Sequence, residues 1–261
     1  MSPAVNAMVS AAIAIFILMT VTWVISVIIK NASIVDIVWG LGFVLVGWVV
    51  RLRVDGLGAR QTLLVAMVSI WGLRLGGYLF WRNHGKGEDY RYRAMRKHHG
   101  DRFPLISAVT VFLVQGTLMW IVSLPVQLGQ ADATPKVGAV AGLGVVVWLI
   151  GLFFEVVGDA QLARFKKDPA NAGIVMDKGL WKYTRHPNYF GDACVWWGLG
   201  LVAAETGSGA FGLIGALVMT IFLRRVSGVT LLEKSLVKRR AGYTEYVART
   251  SPFVPRPPRK A

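Results

Sequence analysis

The sequence holds a single cysteine, Cys194, in 261 residues. That excludes an internal disulfide, a cysteine-based zinc site and a dithiol redox pair. Acidic side chains are also scarce: 14 Asp and Glu stand against 29 Lys and Arg, a formal charge of +15. Charged residues of both signs make up only 16% of the chain, whereas a soluble domain carries about 25%. The shortage argues against a soluble nucleic-acid-binding protein, despite the basic balance. No internal repeat, low-complexity tract or dividing linker is visible. A 54% apolar composition with ten Trp excludes a disordered chain.

What the chain does have is long apolar runs. A helix that crosses a bilayer needs roughly 20 predominantly apolar residues. Seven such spans can be drawn, at about 7–29, 33–50, 60–82, 105–128, 138–158, 190–204 and 208–223. The first has no basic residue before it and no small-residue cleavage motif after it, so it reads as a retained span. Gly40, Gly42, Gly76 and Gly77 permit close helix contact in lipid. The expected fold is an all-α integral membrane protein, a seven-transmembrane helix bundle forming one domain over 1–261.

Charge orients this bundle. The connections 83–104 and 159–189 and the tail from Arg224 are rich in cations and fall on one side, together with the C-terminus. The opposite side carries Asp132 and Lys136 in one loop and Glu205 alone in another. The stretch 51–60, with Arg51, Arg53, Asp55 and Arg60, is the exception. The positive-inside rule places the C-terminus in the cytoplasm and the N-terminus outside.

A charged side chain near mid-bilayer costs roughly 2.5–3.5 kcal/mol on insertion scales and is a functional candidate by default. Asp36 opens the second span, where it is either an interfacial acid or a site residue. Arg74 and Tyr78 are four apart and share a helix face; Arg74 at that depth calls for an anion, either Asp36 or a bound phosphate. Glu155 and Asp159 are also four apart, and the same face turns basic by Arg164 and Lys166. That order suits hydroxyl or amide recognition beside a phosphate, or equally a helix end whose cations snorkel to the surface. The densest stretch runs from Lys178 to Asp192, with Tyr183, Arg185, His186, Asn188 and Tyr189 leading into the sixth span. A helix that starts at Pro187 offers free amide donors to an anion.

These residues carry a resemblance. Gly179-Leu180-Trp181, Arg185-His186-Pro187-Asn188-Tyr189-Phe190-Gly191-Asp192, then Leu232-Glu233-Lys234, Arg239-Arg240, Tyr243, Tyr246 and Arg249 to Pro255 resemble the C-terminal domain of the steroid 5α-reductase family. The bacterial branch, long labelled a domain of unknown function, is the most similar. Upstream, Ser33 to Gly40, Arg74 and Gly87-Glu88-Asp89-Tyr90-Arg91-Tyr92 resemble the same branch. The resemblance implies a seven-helix membrane enzyme that reduces a carbon–carbon double bond with NADPH. It divides the chain into a substrate half, 1–128, and a cofactor half, 138–255. Its cofactor residues are Glu155, Asp159, Lys166, Tyr183, Arg185, His186, Asn188, Tyr189, Asp192, Arg225, Glu233, Arg240 and Tyr243. Asp36, Arg74 and Tyr78 are implied as catalytic: Asp36, acting as an acid, or Tyr78 polarises a conjugated carbonyl. The cations of 83–104, 159–189 and the tail are expected around the cofactor phosphates.

The sequence departs from that family on the substrate side. Val35 precedes Asp36 where the best-known members have glutamine before a glutamate, and Trp71 stands at their tyrosine position. The Arg-His-Pro pattern with Tyr243-Thr244-Glu245-Tyr246 also resembles isoprenylcysteine carboxyl methyltransferases, which use S-adenosylmethionine and commonly have two glutamates where this chain has Glu233-Lys234. A non-enzymatic seven-span lipid-binding protein is a third reading. The expected partners are a hydrophobic lipid or steroid-like substrate from the bilayer and the membrane lipids themselves, in a bacterial inner membrane. Neither a metal, a nucleic acid nor a protein partner is implied.

Overall fold

The computed structural model describes residues 1–54, 58–132, 137–226, 233, 236, 240 and 242–259. Asp55, Lys136, Leu232, Lys234 and Arg239, which entered the readings above, lie outside them. The described residues are helical apart from loops and one isolated bridge, Thr184 to Ser251. Five helices are long and apolar enough to cross a membrane: Pro3–Ile28, Ile34–Arg51, Ala59–Asn83, Tyr90–Val122 and Ala139–Lys167. The sixth and seventh expected spans are also helical among the described residues. They are a 17-residue helix, Pro187–Ala203, and the segment 209–226, in which 3₁₀, α and π turns follow one another.

Chain packing resolves two units, Met1–Gly142 with Leu199–Gly215, and Leu143–Gly198 with Ala216–Ala261. In the first unit, α1 (Pro3–Ile28), α2 (Ile34–Arg51) and α3 (Ala59–Asn83) follow in order. Glycine brings α2 and α3 into backbone contact: a methyl group added to Gly40 would lie 2.7 Å from the Gly72 carbonyl oxygen. The fourth helical region starts earlier than its apolar run. It begins with α4 (Tyr90–His99), turns through Gly100–Arg102, and continues as α5 (Phe103–Ser107), a π turn (Ala108–Leu113) and α6 (Val114–Val122). Most of the connection 83–104 is therefore helix. Its polar side chains pair with one another and with the α1–α2 turn, which supports helix where hydropathy alone shows none.

After a break at Ser123, Pro125 sits in the first turn of α7 (Leu124–Ala131), where its missing N–H costs nothing. The far end of α7 accounts for Arg60, one of the cations of the exceptional 51–60 stretch. Arg60 is 1% exposed; its Nε donates to the Gly129 carbonyl at 3.2 Å and its Nη2 to that of Asp132 at 2.7 Å. Gln61 donates to the Gln130 carbonyl at 2.8 Å. Arg60 thus caps the negative end of a helix and is not a loop cation that sets orientation. Glu205, the lone acid of its loop, accepts from the Ala141 N–H at 2.7 Å. That N–H belongs to the first turn of α8 (Ala139–Lys167), where a carboxylate is favoured.

The second unit is built on the rest of α8 packed against α9 (Pro187–Ala203). Gly144, Gly151 and Gly158 recur every seven residues on α8 and meet Gly198, Gly191 and Pro187 on α9. A methyl group on Gly198 would lie 2.6 Å from the Gly144 carbonyl oxygen, and one on Gly191 would lie 2.5 Å from that of Gly151. One on Gly158 would lie 3.2 Å from Pro187. The helix α8 runs nine residues past the expected end at 158, so Asp159, Arg164 and Lys166 are helical. Beyond α10 (Leu213–Ile221) and α11 (Tyr243–Arg249), the tail returns to the 179–186 segment. Thr184 Oγ1 donates to the Phe253 carbonyl at 2.8 Å, and the Arg256 N–H donates to that of Tyr183 at 3.0 Å.

The seam gives a direct prediction. Gly191→Leu should lower the midpoint of thermal unfolding in detergent, at a cost of about 3 kcal/mol or more, because backbone must move. Gly77→Ala, with nothing within 4 Å of the added carbon, should leave stability unchanged or raise it by about 0.5–1 kcal/mol.

Candidate functional site

The seam of α8 and α9 carries the polar residues of the second unit. Glu155 and Asp159 project from successive turns of α8 and are 2% and 5% exposed. Glu155 lies against Gly191 of α9, whose lack of a side chain leaves room for it. Asn188, in the first turn of α9, donates from Nδ2 to Asp159 Oδ1 at 3.4 Å, and its Oδ1 accepts from the Tyr189 N–H at 3.1 Å. Asp192 follows Asn188 by one helical turn and is half-buried. Carboxylates and a carboxamide are thus gathered on one glycine-lined face.

Beside this face stands a charged cluster. Arg185 forks onto Glu233, Nε to Oε1 at 2.7 Å and Nη2 to Oε2 at 3.0 Å. Its Nη1 donates to the carbonyls of Val247 and Thr250 at the end of α11. A guanidinium has five N–H groups, so four of them are committed. Arg185 ties Glu233 to the tail, and a single N–H remains for any ligand. His186, 2% exposed, meets Glu233 Oε1 through Nε2 at 3.0 Å and stacks on Tyr189 with ring centres 5.3 Å apart. Burial works to raise the Glu233 carboxyl, but the hydrogen bonds and charges of His186 and Arg185 outweigh it and hold it below the ordinary range. Burial pushes the Tyr243 and Tyr246 phenols up.

A cavity of about 150 Å³ opens next to this cluster. Trp181, Phe165 and Tyr243 give it aromatic walls, and Lys166 and Arg240 line it with cations. Arg240 also donates to the Ile174 carbonyl at 2.6 Å. Of the other residues singled out from the sequence, Tyr183 is exposed, its carbonyl bound by the tail, and Arg225 is exposed in the π turn Phe222–Val226.

In the first unit, Asp36 has partners that spacing did not reveal. Arg91 Nη2 reaches its Oδ2 at 2.9 Å, and the Tyr92 hydroxyl donates to its Oδ1 at 2.8 Å. Gln115 Nε2 in turn donates to the Tyr92 oxygen at 3.3 Å. Arg91 thus stands at the Asp36 carboxylate. Arg74 packs on the Tyr78 ring at 5.4 Å, with Arg82 at 5.7 Å from the same ring. Trp71 is fully buried against Phe43. Arg91, Tyr92 and Gln115 are the residues that sequence reasoning missed. The Gly87–Tyr92 motif was visible, but its partner lies more than fifty residues upstream. The same unit has an apolar groove of about 600 Å³ between α1 and the π-turn region, with Phe16, Trp23, Phe112 and Trp120 in its walls.

The Glu233 tie has a pH signature. A carboxyl held low in the folded state stabilises it above the unfolded value, about 4.3, and that contribution is lost as pH falls through the folded value. Glu233→Gln should cost about 3 kcal/mol at pH 7, because it strands the buried Arg185. The gap to the parent protein in thermal melts should narrow below about pH 4. A gap independent of pH would contradict the tie.

Known proteins place this geometry in context. An uncharacterized protein of Schizosaccharomyces pombe is 24% identical over 222 residues, 73% of this chain and 64% of that protein. Steroid 5-alpha-reductase DET2 of Arabidopsis thaliana is 32% identical over 56 residues, 22% of this chain and 21% of that protein. The chain spans less than two thirds of the length of either relative. No solved structure matches it. A family model matches residues 22–250, most of the chain, and the protein therefore belongs to the family described as protein of unknown function (DUF1295).

Proposed function

We propose that this protein is a membrane-embedded reductase that uses NADPH to saturate an activated C=C bond in a lipid. The observation that carries the reading is the gathering of Glu155, Asp159 and Asn188, residues that resemble a cofactor set, on one rigid helix seam beside an aromatic and cationic cavity. The partial likeness to a steroid 5-alpha-reductase supports the same chemistry.

The donor set fits a dinucleotide. Asp159 and Asn188 would hold hydroxyl and amide groups, which need an acceptor and a mixed donor–acceptor. Lys166 and Arg240 would hold phosphate, and Trp181 and Tyr243 would flank the base. Arg185 and His186 line the same cavity and keep the tail and Glu233 in place. NADPH, when bound, supplies the hydride. On the substrate side, Asp36 is the anchor and Tyr92 the proton donor: its hydroxyl, bonded to Asp36 and Gln115, can rotate about its C–O bond towards a carbonyl oxygen. Arg91 pairs directly with Asp36, whose other oxygen accepts from Tyr92, and this reading assigns proton donation to the phenol. The apolar groove of the first unit supports a lipid substrate drawn from the bilayer.

Ligand-induced stabilisation tests the cofactor. NADPH at about 100 times its Kd should add about 2.7 kcal/mol to the stability of detergent-purified protein, and S-adenosylmethionine should add nothing. The reverse result would establish the methyltransferase reading. Asp159→Ala and Asn188→Ala should each remove the NADPH effect. With a lipophilic enone as probe, Tyr92→Phe should keep the NADPH effect and oxidise NADPH about 100-fold more slowly; unchanged oxidation would remove Tyr92 from the mechanism.

A further inference from the structure

We infer that the outer face of α4, with the ends of α1 and α3 beside it, is a docking surface for the headgroups of anionic phospholipids. The acids at this end of the first unit are consumed internally. Glu88 accepts Arg96 in a fork at 2.8 and 3.0 Å and the Ala32 N–H at 2.7 Å. Despite burial, these bonds hold its carboxyl below the ordinary range. Asp36 and Asp89 both take Arg91 at 2.9 Å, and the Asp89 N–H donates to Ser33 Oγ at 2.6 Å. What is left outside is positive. Lys30, Arg82, Lys86, Arg93, Lys97 and Arg102 are exposed and form no ion pair among the described residues. Asp101 is the acid that remains among them.

The placement of these cations identifies their partner. The helix α4 leads directly into the apolar run that starts at Phe103, so its cations stand where hydrocarbon gives way to water. Exposed Phe80, Trp81 and Tyr90, at 56%, 65% and 49%, form an aromatic collar at the same end, the pattern of a membrane interface. The exposed cations come from the turn after α1, the end of α3 and the turn that follows it, α4, and the Gly100–Arg102 turn, so they form a field and not a single pocket for one diphosphate. They suit a row of separate phosphates, which a leaflet of anionic lipid presents. This assigns the cations of the 83–104 segment to the membrane and leaves the cofactor phosphates to Lys166 and Arg240.

Mixed micelles of neutral detergent with phosphatidylglycerol or phosphatidylcholine, matched in acyl chains, test the surface through lipid binding followed by native mass spectrometry and thermal shift. Phosphatidylglycerol should bind more tightly than phosphatidylcholine, and the preference should shrink in high salt. A combined Arg93→Gln, Lys97→Gln, Arg102→Gln variant, altered at exposed positions, should bind phosphatidylglycerol more than tenfold more weakly while keeping the stabilisation that NADPH gives the parent protein. Equal binding of the two lipids by the parent protein would overturn the proposal, as would undiminished phosphatidylglycerol binding by the variant. Loss of NADPH stabilisation alone would return these cations to the cofactor and overturn it too.

Discussion

A charge or an open polar group in an apolar helix must find a partner, and this constraint organises both units. Arg60 is the plainest case: a cation fully buried at one end of α3 caps α7 with two hydrogen bonds. Asp36 is held by Arg91 and Tyr92, and Glu88 by Arg96 and a backbone amide. Arg185 commits four of its donors to Glu233 and the end of α11. All of these except the Glu88–Arg96 pair join segments far apart in sequence, so the polar residues fix the arrangement that apolar packing in lipid leaves weakly specified.

Glycine supplies the complementary constraint. The seven-residue spacing of Gly144, Gly151 and Gly158 lets α8 approach α9 to backbone contact. Side chains cannot fill that seam, so polar groups on its margin are held without slack. Asp159 and Asn188 sit there, and the proposed dinucleotide site would draw on this rigidity, because selectivity depends on fixed donors and acceptors. Arg185 and His186 line the cavity and, together with Glu233, hold the returning tail.

Hydropathy in the sequence was enough to reveal the all-helical character and the long apolar helices, because a 20-residue apolar run has few alternatives. The polar start of the fourth helical region was not legible: Tyr90 to His99 is supported by the Asp89 cap, the Glu88–Arg96 fork and the bonds of Arg91 and Tyr92 to Asp36. Spacing correctly placed Glu155 with Asp159, one turn apart on a single helix. It could not place Tyr92 on Asp36 or Glu233 on Arg185, since contacts across roughly fifty residues leave no periodic trace. The cation count was legible, but its meaning was not. Arg60 and Arg185 are buried ties, Arg91 and Arg96 neutralise acids, and the remainder of the 83–104 set faces outward.

The central claim is that the α8–α9 seam and the cavity beside it hold NADPH. Hydrogen–deuterium exchange of the detergent-purified protein, with and without saturating NADPH, reads this without knowledge of the substrate. Protection concentrated in 155–166 and 181–192, with 90–102 unchanged, is the predicted result. Protection confined to 90–102, or none in either region at a concentration that stabilises the protein, would contradict the account.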